Sequence, residues 1–384
     1  MSLYDLLVLG CPERETRDLF IGVLRGLLAE GDVPESEVRL ITDPADYLSN
    51  RNPRVPTVVA CFSDLSANEL TTISALITAR VPVIPVAMNE QRFETFPEPL
   101  QSLNGTVLSP NMEGWTSAGA AILESVGLLR MQRRLFISYR RTEAREAAVQ
   151  LHDQMAARGF QVFLDTHSIR PGRVFQDDLW QSLTDSDVMV MLDTATYFES
   201  KWTREEFGRA QSMGISILRL VWPGITPEET AELSEQRPLT HSDFDGPLLK
   251  ADVLQDIVEK TERLRARSLA ARHTEITGKL KAGAEAAGAK IRGAGAFRSI
   301  SIELQSGDDA WAYPVIGVPT ANMMYDIALR AAAADHARPF LVYDHTGITT
   351  DWLSHLGWLD ESIGEVDFMR VADAADVLAR RASG

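Results

Sequence analysis

Trp202 and Glu206 lie four residues apart in FESKWTREEFGRA, the stretch from 198 to 210. In a helix, positions i and i+4 sit one above the other, so the spacing predicts an indole and a carboxylate pointing into the same volume. That pair would form a ring-stacking floor with an acid beside it. The alternative is a solvated surface helix, acidic because Glu205 and Glu206 adjoin. Other candidates are thinner. The seven histidines show no metal-ligand spacing, and no metal is expected. DHTG (344–347) follows an apolar run and reads as a turn with a helix cap. GAGAF (293–297) lacks the full dinucleotide fingerprint and reads as linker. LGCPE (9–13) closes the first apolar run, where a tight strand–helix turn needs no ligand and a phosphate cradle is the other reading.

Residues of this kind need a sheet to hold them. LYDLLVLG (3–10), VRLIT (38–42), TVVACFS (57–63) and VPVIPVAM (81–88) read as strands. Between them Leu19, Phe20, Val23, Leu24, Leu27 and Leu28 repeat with helical period, and Gly31 is placed to stop that helix. Further helices are expected near 66–80 and 115–130. The plan repeats with RLFISYR (134–140), a helix from the candidate N-cap Thr142 to Arg158, FQVFLD (160–165), the helix VFQDDLWQSLTDS, DVMVMLDT (187–194) and ISILRLVW (215–222). SISIEL, AYPVIGV, PFLVYD and VDFMRV are strand-like again, beside an Ala-rich helix at 321–336 and a closing helix ADAADVLARRASG.

Such alternation predicts α/β architecture with mostly parallel sheets and helices on both faces. The expected parts are an α/β, Rossmann-like segment at 1–130, a second α/β domain at 131–250, a helical linker at 251–283 and a C-terminal α/β domain at 284–384. The small-residue run GAEAAGAKIRGAGA reads as a flexible joint. The layout of residues 58–86 also echoes that of 188–221: strand, polar turn, helix, strand. The first segment therefore reads as a degenerate relative of the second.

A formal net charge of -16 argues against a broad nucleic-acid footprint. Residues 251–300 run the other way, with ten Lys/Arg against six Asp/Glu, and read as a solvated helix. Cys11 and Cys61 adjoin apolar runs, which suits reduced thiols better than a disulfide framework. The N-terminus lacks a basic, apolar leader, and no apolar run approaches the roughly 20 residues that span a bilayer. A cytoplasmic protein without a membrane partner is expected.

FISYRR (136–141), VFLD (162–165), IRPG (169–172) and the W-x-x-x-E of 202–206 occur in order on matching elements. Together they resemble the Toll/interleukin-1 receptor (TIR) domain family over residues 133 to about 225. The resemblance implies a flavodoxin-like parallel sheet, flanked here by two further α/β segments. It also implies a BB loop at about Thr166 to Arg173. Members of the family either scaffold signalling assemblies or cleave NAD, and those that cleave it resemble this chain in carrying Glu at the position of Glu206. On that basis Glu206 is the catalytic candidate, and Arg140, Arg141, Arg170, Gly172 and Trp202 are the NAD-binding candidates. NAD would be a substrate, with no bound cofactor. Self-association through the BB loop, and a role as a bacterial defence effector that depletes NAD, are further implications. The non-catalytic scaffold is the alternative. The departure is at Arg170, a position that is acidic in some catalytic relatives.

Overall fold

Apolar residues on both faces of a strand demand cover on both sides, and the strands of this chain obtain it from helices in three successive sheets. The computed structural model describes residues 2–11, 13–109, 112, 114–164, 175–225 and 234–383, without the side chains of 90–92, 175 and 176. It divides into two units: residues 1–131 with 295–298, and 132–294 with 299–384.

The first unit contains β1 (Tyr4–Leu9), β2 (Val38–Ile41), β3 (Thr57–Cys61), β4 (Val83–Ala87) and β5 (Thr106–Val107). They pair in the order β2-β1-β3-β4-β5, all parallel. Helices α1 (Arg14–Glu30), α2 (Tyr47–Asn50), α3 (Ala67–Thr78), α4 (Glu98–Gln101) and α5 (Trp115–Ser125) cover the sheet. Gly10 follows β1 with φ +71°, and a Cβ there would stand 2.5 Å from the Phe62 carbonyl oxygen. Its N–H donates to Glu69 Oε1 at 2.9 Å, and Glu69 also closes a capping box with Ser66. The Gly10 amide is therefore taken by a side chain of its own unit. Cys11 and Cys61 are free thiols, each pushed by burial up to about 12.

The second unit opens with β6 (Arg133–Ser138), β7 (Phe160–Leu164), β8 (Val188–Asp193), β9 (Ser216–Val221) and β10 (Glu235–Pro238). The order β7-β6-β8-β9-β10 is again all parallel and flavodoxin-like, the same topology as the first sheet. Alternation along β6 sends Leu135 and Ile137 toward α6 (Arg141–Ala156), and Phe136 and Ser138 toward α7 (Phe175–Thr184) and α8 (Lys201–Ser212). The N-cap of α6 is Arg140 rather than Thr142, because the chain turns directly from Ser138 into the helix. A small hairpin, β11 (Phe244–Asp245) with β12 (Leu248–Leu249), leads into α9 (Ala251–Ala286).

At 36 residues, α9 is about 54 Å long. The expected solvated helix is instead deeply packed. Its first half sends Val253, Leu254, Ile257, Val258 and Leu264 into the core of the second sheet. Arg265 Nε donates to Asp187 Oδ2 at 2.8 Å with both side chains fully buried, and Arg133 Nη1 donates to Glu262 Oε1 at 2.7 Å. The second half sends Ile276, Leu280 and Ala284 into a different core, under β13 (Lys290–Ala294), β14 (Ile300–Glu303), β15 (Asp309–Val315), β16 (Phe340–Tyr343) and β17 (Asp367–Arg370). This last sheet is mixed, with β13-β14-β15 antiparallel and β15-β16-β17 parallel. Helices α10 (Ala321–Ala334), α11 (Thr350–Ser362) and α12 (Ala374–Ser383) complete it. The run expected to be a flexible joint is helix and strand. Its small residues permit close approach, since a Cβ on Gly283 would stand 2.7 Å from the Ala374 Cβ.

DHTG forms a turn in which the Thr346 N–H donates to Asp344 Oδ1 at 2.9 Å. Lys279 of α9 reaches Asp344 at 2.6 Å. Burial pushes the Asp344 carboxyl up, but hydrogen bonds from Lys279 and Thr346 outweigh it and bring it from 3.8 to about 2.

Two expectations follow. Arg265→Met leaves Asp187 buried without its guanidinium, and should lower the unfolding free energy by about 3–5 kcal/mol in urea titrations. A loss no larger than that of an exposed substitution would contradict the weld between α9 and the sheet. The second concerns acid. Because the folded carboxyl lies below its unfolded value, Asp344 stabilises fully above 3.8 and loses that contribution as pH falls toward about 2. The stability gap between wild type and Asp344→Asn should close across that window, and a gap independent of pH would refute the ion pair.

Candidate functional site

Along α8 the buried residues are Thr203, Glu206, Phe207 and Ala210, a single stripe at helical spacing. Four residues turn a helix by a full circle plus about 40°, which separates Trp202 from that stripe. Glu206 is 3% exposed and Trp202 is 44% exposed. The sequence expectation of one shared volume is therefore not met: the carboxylate faces the sheet, and the indole stands at the surface beside the Lys201 ammonium, 5.9 Å from its ring centroid.

What Glu206 meets is the end of β6. Ser138 Oγ donates to Glu206 Oε2 at 2.5 Å, and Tyr197 Oη lies 2.6 Å from the same Ser138 Oγ. Ser138 and Tyr197 are completely buried. The Tyr197 phenol is pushed well above 10.0, first by burial and then by the charge of Glu206. Around these groups Phe198 packs edge-on between Tyr197 and Phe207, at 5.1 and 5.6 Å between centroids. Arg219 of β9 donates from Nε to Asp193 Oδ2 at 2.8 Å, so the nearest charged residues of the sheet are paired.

The two turns at the carboxyl end of the sheet are bound together. Arg140 Nη1 donates to the Thr196 carbonyl at 2.6 Å. Glu143 accepts from the Thr196 hydroxyl at 2.8 Å and from its N–H at 3.3 Å. Burial acts to raise the Glu143 carboxyl, but hydrogen bonds from Thr194 and Thr196, with the Arg140 charge, overcome it and hold it below its ordinary 4.5. Thr203 donates to the Tyr197 carbonyl, anchoring the turn to α8.

Of the residues read as candidates, Glu206 and Arg140 come to the same end of the same sheet. Arg141 is exposed at the start of α6, and Trp202 is exposed on α8, outside the stripe that carries Glu206. Arg170 and Gly172 lie outside the described residues. Sequence reasoning missed Ser138 and Tyr197. The signal for Ser138 was a hydroxyl inside an otherwise apolar strand, since a buried polar group requires a partner.

Chemically, the arrangement offers a carboxylate held by a donor among buried side chains, with an arginine at the strand end where open α/β sheets receive ligands. A buried anion of this kind can stabilise positive charge that develops on a bound group.

Residues 135–255 match the TIR domain family model, and over that segment the chain carries a TIR domain. No curated protein matches the chain. Among solved structures, it is similar to a CMP N-glycosidase of Clostridium botulinum, with 16% identity over 33% of this chain and 98% of that one, at a TM-score of 0.25. It is also similar to a tagatose-6-phosphate ketose/aldose isomerase from Escherichia coli, with 13% identity over 71% of this chain and 82% of that one, at a TM-score of 0.22. At those scores neither protein bears on the chemistry of the site.

The division of α8 into a buried and an exposed side is directly testable. Trp202→Ala should change the unfolding free energy by less than about 0.5 kcal/mol, whereas Phe207→Ala should cost about 3–5 kcal/mol. Comparable losses in urea titration would place Trp202 in the core and overturn this geometry.

Proposed function

We propose that the TIR domain cleaves the glycosidic bond of NAD, releasing nicotinamide, with Glu206 as the carboxylate that acts on the ribose. The observation that carries the reading is the Glu206 carboxylate, buried and held by Ser138 at the carboxyl end of β6. Nicotinamide departs as a neutral base from a cationic pyridinium, so the reaction needs no acid to protonate it. The usual pair of glycosidase carboxylates can therefore shrink to one. The ribose left behind passes through an oxocarbenium-like state, which a nearby anion stabilises. The same carboxylate then orients the attacking nucleophile. Water gives ADP-ribose, and an internal nucleophile gives a cyclic isomer.

Arg140 and Arg141 suit the pyrophosphate, since guanidinium forks match phosphate oxygens. Arg140 keeps one edge on the Thr196 carbonyl and brings its charge to the strand end. Trp202, exposed on the same helix as Glu206, is our candidate for a stacking surface under the nicotinamide or ribose. Arg170 and Gly172 fall in the segment that the TIR resemblance implies is the BB loop, through which we expect copies of the domain to meet, making activity depend on self-association. A scaffold without catalysis is the second reading. It is favoured by the near-complete burial of Glu206, which a core hydrogen bond alone would explain.

The test is nicotinamide release from NAD by the full chain across a range of protein concentrations, beside Glu206→Gln and Glu206→Ala. We expect release to rise more steeply than concentration in the wild type and to fall by roughly 10²–10³-fold in both variants. Release that survives both substitutions would remove Glu206 as the catalyst. Self-association without release at any concentration would favour the scaffold.

A further inference from the structure

We infer that Tyr197 and Ser138 are positioning residues for Glu206, forming a one-way chain of hydroxyl donors that fixes the carboxylate to face the cation developing on the ribose. This deepens the NAD-cleaving reading and rests on it. The direction of the chain follows from counting protons. Ser138 Oγ donates to Glu206 Oε2 across 2.5 Å, the carboxyl oxygen accepting. A serine hydroxyl has one proton, and Ser138 has now used it. The contact of 2.6 Å between Ser138 and Tyr197 must then run from the phenol to the serine. Tyr197 remains a donor at any ordinary pH, because burial and the neighbouring Glu206 charge hold its phenol protonated.

The chain is held at its far end as well. Tyr197 follows Thr196, which Arg140 grips by its carbonyl and Glu143 by its hydroxyl and N–H. Thr203, one turn before Glu206, takes the Tyr197 carbonyl. The charged groups around it are Glu206 from α8, Asp193 from β8 and Arg219 from β9, and the last two pair with each other. Each member of the chain is thus anchored by a different element: the end of β6, the turn after β8, and α8.

A purely structural role explains this poorly. Three polar groups taken out of water cost more to bury than alanine and phenylalanine of similar shape. What the hydroxyls add is orientation. A carboxylate with one oxygen fixed by a short bond to a buried donor has its plane fixed too, and a group that must face a developing cation gains from that preorganisation.

The experiment is a double-mutant cycle with Ser138→Ala, Tyr197→Phe and the pair, on the full chain. It reads NAD kinetics and, separately, the infrared carboxylate band assigned to Glu206 by difference from Glu206→Gln. Ser138→Ala should lower kcat roughly 10- to 100-fold, leaving KM within about twofold because uniform binding is untouched. Tyr197→Phe should lower kcat less. The double variant should match Ser138→Ala, since Tyr197 acts only through Ser138. The Glu206 band should shift in Ser138→Ala and, by less, in Tyr197→Phe. Additive losses in kcat, a change confined to KM, or an unmoved band in folded Ser138→Ala would each overturn the inference. If the wild type releases no nicotinamide, the NAD reading fails by itself, and the band still decides whether Ser138 orients the carboxylate.

Discussion

A carboxylate removed from water has to be met by a donor, and the hydrogen bond from Ser138 to Glu206 is the contact around which the TIR domain is arranged. It requires that β6 end with a hydroxyl on the face covered by α7 and α8. Strand alternation supplies this, because Ser138 shares parity with Phe136. It requires α8 to turn Glu206 toward the sheet, which the stripe of Thr203, Phe207 and Ala210 enforces. It also requires the turn after β8 to stay put, and Arg140 and Glu143 hold that turn at Thr196. None of these residues needs to touch a substrate for the carboxylate to be lost if one of them changes.

The first unit offers an internal comparison. Its sheet has the same topology, and there too a glutamate from the helix after the third strand reaches back to the end of the first strand. Glu69, however, is spent on the Gly10 amide and on a capping box with Ser66. It sits in the third position of its helix, where a capping box is made, whereas Glu206 sits a turn deeper and meets a side-chain hydroxyl. One topology thus holds a carboxylate that closes a helix end and another that faces a strand end.

The inner strands of the sheets were legible in the sequence because they are apolar on both faces and bounded by turns, whereas the edge strands β10 and β13 are polar and exposed and were not read as strands. Glu206 was legible through its spacing from Trp202 within a TIR-like order of motifs, although the spacing misplaced Trp202. Four residues do not complete whole turns, and the residual rotation decides which side chain meets the core. Ser138 and Tyr197 were hidden because their partnership crosses 59 residues of sequence, and no local period records it. The basic stretch around α9 misled for a related reason. Arg265 and Glu262 look like solvent-facing charges until Asp187 and Arg133 arrive from the neighbouring sheet to bury them.

The central claim is that the buried carboxylate of Glu206 faces the ribose of NAD. Its most direct measurement is a crystal structure of the full chain with a non-cleavable NAD analogue. The account predicts a ribose oxygen within about 2.6–3.2 Å of the Glu206 carboxylate and the pyrophosphate against Arg140. An analogue bound elsewhere, with no ligand atom in reach of the Glu206 carboxylate, would contradict it.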